Sequence, residues 1–303
     1  MRPDARYRIS MTEANDPPET LIAKLVALMD LEEVEVDLFR GGRTDEPWTR
    51  VFGGQVVGQA LIAACRTVER PRLPHSLHAY FMRPGDPDLP IVYEVSRDRD
   101  GRSFSSRRAV AIQHGRPILN LSCSFQIPER GLEHQFDMPD VPPPEGLEDD
   151  RDIALRFREE IPPGRRAVML RQRPMTFRPI LPMARYRDEP LPPFHSYWFK
   201  AVAPLPDDQI LHRGLLAYAS DMMLLSTSIL PHGLSWLRDD VQEASLDHAL
   251  WVHGDIDLND WLLYAMDSPR SSQARGFTRG QIFTRDGRLV ASVAQEGLIR
   301  VRR

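Results

Sequence analysis

The chain has 303 residues, 42% of them hydrophobic and 27% charged, with a formal net charge of −4. That length accommodates two compact domains or one fused pair, and the mild acidity gives no global attraction to nucleic acid or to an anionic membrane. No apolar run reaches the roughly 18 residues of a membrane helix, and the first dozen residues lack a signal-peptide core.

Residues 1–20 are expected to form a flexible N-terminal tail. "PETLIAKLVALM" then sets Leu21, Ile22, Leu25, Val26 and Met29 at helical spacing, and an extended piece over 34–39 follows. "VFGGQVVGQALIAACRTV" reads as a glycine-rich turn entering a buried helix, in which Gly53, Gly54 and Gly58 allow close packing but form neither a dinucleotide nor a phosphate-loop pattern. Strands are predicted near 77–81, 91–99, 103–113 and 117–126, with "HGRP" a turn between the last two. Residues 21–128 thus read as one α+β unit, a helix followed by antiparallel strands. The two cysteines, Cys65 and Cys123, lie far apart in apolar sequence and suggest buried hydrophobes rather than a disulfide framework or a zinc site.

Residues 129–194 are proline-rich: thirteen of the 27 prolines fall between 128 and 193, around one helical segment near 152–161. That composition marks a connector lying over a core. From 195 to 303 the first pattern returns. "HSYWFKAV" is a strand, "GLLAYASDMMLLSTSIL" a single buried helix ended by Pro231 and Gly233, and strands follow near 245–252, 261–268, 276–284 and 288–300. "SLHAYFMRPGDPDLP" is echoed by "SLDHALWVHGDIDLN", and the Gly-Arg turns Gly115–Arg116 and Gly287–Arg288 lie 172 residues apart. Two copies of one unit are expected, each an antiparallel sheet curled around a central helix.

In "AYASDMMLLS" the one carboxylate, Asp221, sits in small and apolar residues. Burying it costs several kcal/mol unless it is hydrogen-bonded or faces a solvated cavity, so it points to a polar hole. Capping of a helix that begins at 222, or a buried structural acceptor, remain alternatives at this level. His75, His78, His248 and His253 flank strands that should border such a hole, and a histidine base in place of Asp221 is a further alternative. None has metal-ligand spacing, so no metal is expected, and "GLSWL" lacks the second glycine of a serine nucleophile elbow.

The motifs "VFGGQVVGQAL", "LHAYFMRPGDP", "RSFSSRRAVAIQHGRPI", "LAYASD", "DHALWVH", "NDWLLY", "ARGFTRGQIFTRDGRLVAS" and "QEGL" resemble, in order, the type II acyl-CoA thioesterases. The resemblance runs from about residue 21 to 300 and is weakest in the connector. It implies a double hotdog fold and hydrolysis of medium- to long-chain fatty acyl-CoA to free acid and CoA, without a cofactor. It carries a catalytic Asp, hydroxyl and Gln onto Asp221, Ser245 and Gln295, which would hold and activate a water with no covalent intermediate. Family members commonly have Thr where this chain has Ser245, which keeps the hydroxyl and loses the methyl that restrains its rotamer. Oxyanion donors are expected from backbone N–H groups near the glycines or at a helix start.

Cys123 falls opposite Gln295 in the repeat, so one site per chain is expected, in the C-terminal unit. Arg107, Arg108, Arg275 and Arg279, on equivalent strands, are candidates for the CoA phosphates, with His75, His78, Gly53 and Gly54 as further substrate contacts. Two other functions compete: a hotdog enoyl-thioester hydratase or dehydratase, which "YASDMMLL" disfavours for want of a nearby His, and a non-catalytic acyl-CoA sensor. The resemblance further implies a homodimer or higher homo-oligomer. No nucleic-acid partner or membrane insertion is expected, and the ending "VRR", which is no peroxisomal signal, favours a cytoplasmic location.

Overall fold

The computed structural model describes residues 8–9, 16–44, 49–184, 186–235 and 237–302. Most of the 1–20 tail expected from the sequence lies outside these residues. A short β1 (Arg8–Ile9) runs parallel to β4 (Arg43–Thr44), and α1 (Pro18–Met29) buries its Leu21, Ile22, Leu25, Leu28 and Met29 stripe. The extended piece expected over 34–39 is instead a hairpin, β2 (Glu32–Glu35) and β3 (Leu38–Gly41), turning through Asp37 at φ 59°.

The first unit continues with α2 (Gly53–Cys65) and the strands β5 (Leu73–Phe81), β6 (Ile91–Asp100), β7 (Phe104–Gln113) and β8 (Arg116–Gln126). The connector holds two helices rather than one, α3 (Asp150–Arg156) and α4 (Pro163–Leu170), and a strand, β9 (Met175–Pro179). Then come β10 (Phe194–Ala201), α5 (Gln209–Ser220), β11 (Val241–Ser245), β12 (Asp247–Val252), β13 (Leu262–Ser272), β14 (Arg275–Thr284) and β15 (Leu289–Val301).

All strands after β1 except β4 join one 13-stranded sheet, ordered β2-β3-β6-β7-β8-β5-β12-β15-β14-β13-β10-β9, with β11 pairing onto β15. The order 3-6-7-8-5 is matched by 10-13-14-15-12, and the two halves join where β5 pairs antiparallel with β12, Leu77 opposite Leu250. This is the double hotdog expected from the resemblance.

Strand alternation turns one apolar face of this sheet toward α2 and α5. Residues Gly54 to Cys65 of α2 are all buried, and one hydrophobic core runs through both units. The two helices cross closely because their facing residues are small. A Cβ on Gly58 would lie 2.9 Å from Gly214 O, one on Gly54 2.3 Å from Tyr218 O. The first turn of α2 therefore lies beside the last turn of α5. The connector covers the outer face of the second half, with Met138, Val141 and Leu147 packed on Trp198, Trp261, Leu263 and Phe283.

Candidate active site

The helix expected over 214–230 is broken in two. α5 ends at Ser220, Asp221 is its C-cap, and the chain turns through Met223 at φ 65° into a 3₁₀ helix, Leu225–His232, which Gly233 closes in the left-handed region. The uniform apolar composition conceals this break. Two facing strand glycines make room for the 3₁₀ helix: a Cβ on Gly276 would lie 2.4 Å from Ser228 Oγ, and one on Gly297 2.3 Å from Leu225 Cδ1. Asp221 therefore caps the end of one helix, not the start of another.

Its carboxylate is a meeting point. Asp221 Oδ1 accepts from Gln295 Nε2 at 2.6 Å and from Ser245 Oγ at 3.3 Å. Gln295 is 1% exposed on β15, and Ser245 ends β11 opposite Gly297. A carboxylate only accepts, so the amide NH2 of Gln295 must face it. That leaves Gln295 Oε1 buried and, among the described residues, without a donor. A buried acceptor in this state has room for one more hydrogen bond, which a water can supply.

On the other side stands the start of α2. A Cβ on Gly53 would lie 2.7 Å from Asp221 Oδ2 and 3.0 Å from the Phe81 ring. No side chain caps this helix, so its first-turn N–H groups and the positive end of its dipole lie beside the carboxylate.

Behind the carboxylate, Ser220 is held from two strands. Tyr264 OH donates to Ser220 O at 2.8 Å, and His248 Nε2 lies 2.9 Å from Ser220 Oγ. The serine hydroxyl donates to Ala217 O, so Nε2 of His248 carries the hydrogen and donates. Nδ1 is then a bare, buried acceptor. Burial holds the His248 pKa below that of a free histidine, against the opposing pull of Asp221 and Asp247. Burial, reinforced by Asp221, pushes the Tyr264 phenol well above its ordinary value.

Asp221, Ser245 and Gly53 open into a cavity of about 410 Å³ whose walls include Phe52, Val56, Phe81, Leu119, Met222 and Met223. The connector contributes Val168 and Met169, and Arg50, Arg83, Arg171 and Arg173 also line the cavity. Among the described residues no three His, Cys, Asp or Glu side chains are grouped to hold a metal.

Two family profiles match the chain, "acyl-CoA thioesterase N-terminal domain" over residues 44–126 and "acyl-CoA thioesterase" over residues 173–298. Acyl-CoA thioesterase 2 of Haemophilus influenzae is 39% identical over 92% of this chain and 98% of its own. The chain belongs to the acyl-CoA thioesterase family. Acyl-coenzyme A thioesterase 8 of Homo sapiens is 38% identical over 96% of this chain and 93% of its own. The crystal structure of an acyl-CoA thioesterase II, TesB2, from Mycobacterium marinum superposes with a TM-score of 0.74 at 40% identity, covering 91% of this chain and 97% of that one.

Of the residues that the thioesterase resemblance singled out, the fold brings Asp221, Ser245, Gln295 and Gly53 together. Gly54 packs against α5 instead. His75 is turned away, bonded to Ser124 Oγ at 2.9 Å, and His78 is exposed on the outer sheet face, edge-on to Trp251. The arginine candidates do not line the cavity. Arg107 is 2% exposed and committed to Thr67 and Asp100, Arg275 pairs with Glu296, Arg279 pairs twice with Asp267, and exposed Arg108 lies 3.9 Å from Asp98. His248, one of the four histidines expected to border the hole, meets the site through Ser220, whereas the sequence does not single out Tyr264 or the cavity arginines. Nothing local in the sequence distinguishes them from ordinary core or surface residues.

Proposed function

We propose that this thioesterase hydrolyses medium- to long-chain fatty acyl-CoA to free acid and CoA, with a water activated by Asp221, Ser245 and Gln295. The observation that carries the reading is the 2.6 Å bond from Gln295 Nε2, buried outside the cavity lining, to Oδ1 of Asp221, which lines a largely apolar cavity. It fixes the carboxylate while leaving Gln295 Oε1 and Asp221 Oδ2 as acceptors for the two hydrogens of one water. Ser245 holds the assembly by its hydroxyl.

The water oxygen attacks the thioester carbonyl carbon as its proton passes to Asp221. The carbonyl oxygen gathers negative charge, and the uncapped first turn of α2, which begins at Gly53, is our assignment for the donor. The tetrahedral centre then collapses, the C–S bond breaks, and the proton held by Asp221 passes to the departing CoA sulfur. No covalent enzyme intermediate and no cofactor are required. His248 is unsuited to be the base, because its Nε2 is spent on Ser220.

A largely apolar cavity of about 410 Å³ suits a fatty chain rather than a short acid. The proposal includes a homo-oligomer in the cytoplasm. The exposed Tyr80 and Phe277, 61% and 37% accessible, are apolar surface that self-association would cover.

The deciding experiment is thiol release from saturated acyl-CoA esters, C4 to C18, by wild type and Asp221→Asn. Turnover of the longer esters that the folded variant lacks supports the reading. Equal rates in both proteins would move the base elsewhere, and tight binding without thiol release would favour a sensor.

A further inference from the structure

The cavity that holds Asp221 has a second one beside it, with three wall residues in common. A neighbouring space of about 380 Å³ is lined by Arg83, Pro84, Gln113, His114, Arg116 and Ile118, and it shares Arg83, Pro84 and Ile118 with the first. The walls change character along this path. Around Asp221 they are chiefly hydrocarbon, whereas the far end presents two guanidinium groups, an amide and an imidazole.

Three of the arginines on this path have no carboxylate within ion-pair distance among the described residues: Arg50, Arg83 and Arg116. Arg50 donates to Glu243 O at 3.0 Å and Arg83 to Pro117 O at 2.8 Å. A carbonyl oxygen anchors the arm without neutralising the charge. The contrast with Arg107, Arg275 and Arg279, each paired to an acid, is sharp. Uncompensated guanidinium groups gathered at a cavity are suited to an anionic ligand, and their planar fork matches phosphate oxygens.

Arg83 also stands on a braced segment. Met82 N bonds Ile118 O at 2.8 Å, Val51 N bonds Gly85 O at 3.0 Å, and Gln113 clamps the following turn through Asp86 N and the carbonyls of Asp86 and Leu89. His114, at the rim of the second space, is itself held by Asp86 at 3.1 Å. The positive groups are thus presented on fixed backbone, which limits the ordering cost of binding.

Resting on the acyl-CoA reading, we propose that Arg83, with Arg50 and Arg116 flanking it, seats the phosphate groups of coenzyme A. The nucleotide lies along the second space and the pantetheine arm passes Pro84 and Ile118 to bring the thioester to Asp221. The arginines expected from the sequence for this task are occupied elsewhere, and these three replace them.

The test compares octanoyl-CoA with octanoyl-N-acetylcysteamine, the same thioester without phosphates, in wild type, Arg83→Gln and Arg116→Gln. The ratio of kcat/KM for the CoA ester to that for the truncated ester should fall about tenfold or more in each variant, carried by KM. Added salt should lower the same ratio in the wild type. A ratio unchanged in both variants would overturn the seat while leaving thioester hydrolysis intact. Should wild type split neither ester, the hydrolase reading fails by itself. Calorimetric titration with CoA would then still judge the seat: weaker binding by Arg83→Gln supports it, and equal binding refutes it.

Discussion

Gln295 Nε2 stands 2.6 Å from Asp221 Oδ1 although the two residues are 74 positions apart, one on strand β15 and the other at the end of α5. The bond uses one carboxylate oxygen and leaves the other toward Gly53. Asp221→Asn would set an amide against that amide and remove the proton acceptor together. We expect kcat to fall about 10²- to 10⁴-fold with the melting temperature nearly unchanged, measured as thiol release beside a thermal melt. Gln295→Ala should cost kcat more than KM by the same assay, and equal losses in both would assign Gln295 to substrate binding.

Gly53 sets a second, steric limit. Its missing Cβ would lie 2.7 Å from Asp221 Oδ2, closer than real side-chain carbons approach such atoms, with the Phe81 ring at 3.0 Å behind it. Gly53→Ala must therefore displace the carboxylate or the start of α2. The expected outcome is a fall in kcat of at least about tenfold with a folded protein. Unchanged kcat would show that the first turn of α2 is not part of the reacting geometry.

Much of this fold is legible in the sequence because strand alternation and the repeat are local signals. β7 is predicted at 103–113 and found at Phe104–Gln113, whereas the second central helix begins earlier than expected, at Gln209, and ends at Ser220 where the apolar run hides the turn at Asp221. What escapes is what depends on register. Aligning the Gly-Arg turns equates Arg107 with Arg279, yet Arg107 pairs with Cys123 whereas Thr278 pairs with Gln295. The β14–β15 turn is one residue longer, Phe283 pairing with Leu289 where Ile112 pairs with Pro117. A single residue reverses the face of a strand, so Arg107 points inward and Arg279 outward. The meeting of Gly53 with Asp221 is equally invisible, because it depends on two helices 150-odd residues apart packing side by side.

Ser245 holds Asp221 by a 3.3 Å contact, long for a hydroxyl donor. Restoring the methyl should restrain the rotamer and shorten that contact. Ser245→Thr is expected to match or exceed the wild-type kcat, while Ser245→Ala should reduce it about tenfold. Steady-state rates on one acyl-CoA decide it, and an alanine variant as active as the threonine one would remove Ser245 from water positioning.

Arg107 gives a prediction of the opposite kind. Its guanidinium is 2% exposed and donates to Thr67 Oγ1, Thr67 O and the carbonyls of Arg99 and Ser106, with Asp100 completing the set. Arg107→Ala would leave several of these acceptors buried without donors. Stability should fall by about 2 kcal/mol, read by denaturant unfolding, and KM for acyl-CoA should not change. A selective rise in KM would return Arg107 to the substrate site.

His248 couples the site to pH. Burial depresses its folded pKa, so below the ordinary histidine value of about 6.5 the unfolded chain takes up a proton that the native protein refuses. The sign is fixed: stability is full above that value and declines as pH falls through the window beneath it. His75 and His253, depressed by burial as well, add to the same slope. The groups facing His248 are Asp221 and Asp247, which oppose the shift, and Ser220, which receives its Nε2 hydrogen. His248→Asn should therefore flatten part of the stability loss between pH 6.5 and 5. It should also lower kcat about tenfold at pH 8, where the histidine is neutral, because Ser220 loses its donor and the end of α5 that carries Asp221 is less firmly held. Unfolding curves at several pH values, paired with kcat at pH 8, separate the two effects. An unaltered slope with an unaltered kcat would reduce His248 to ordinary core packing.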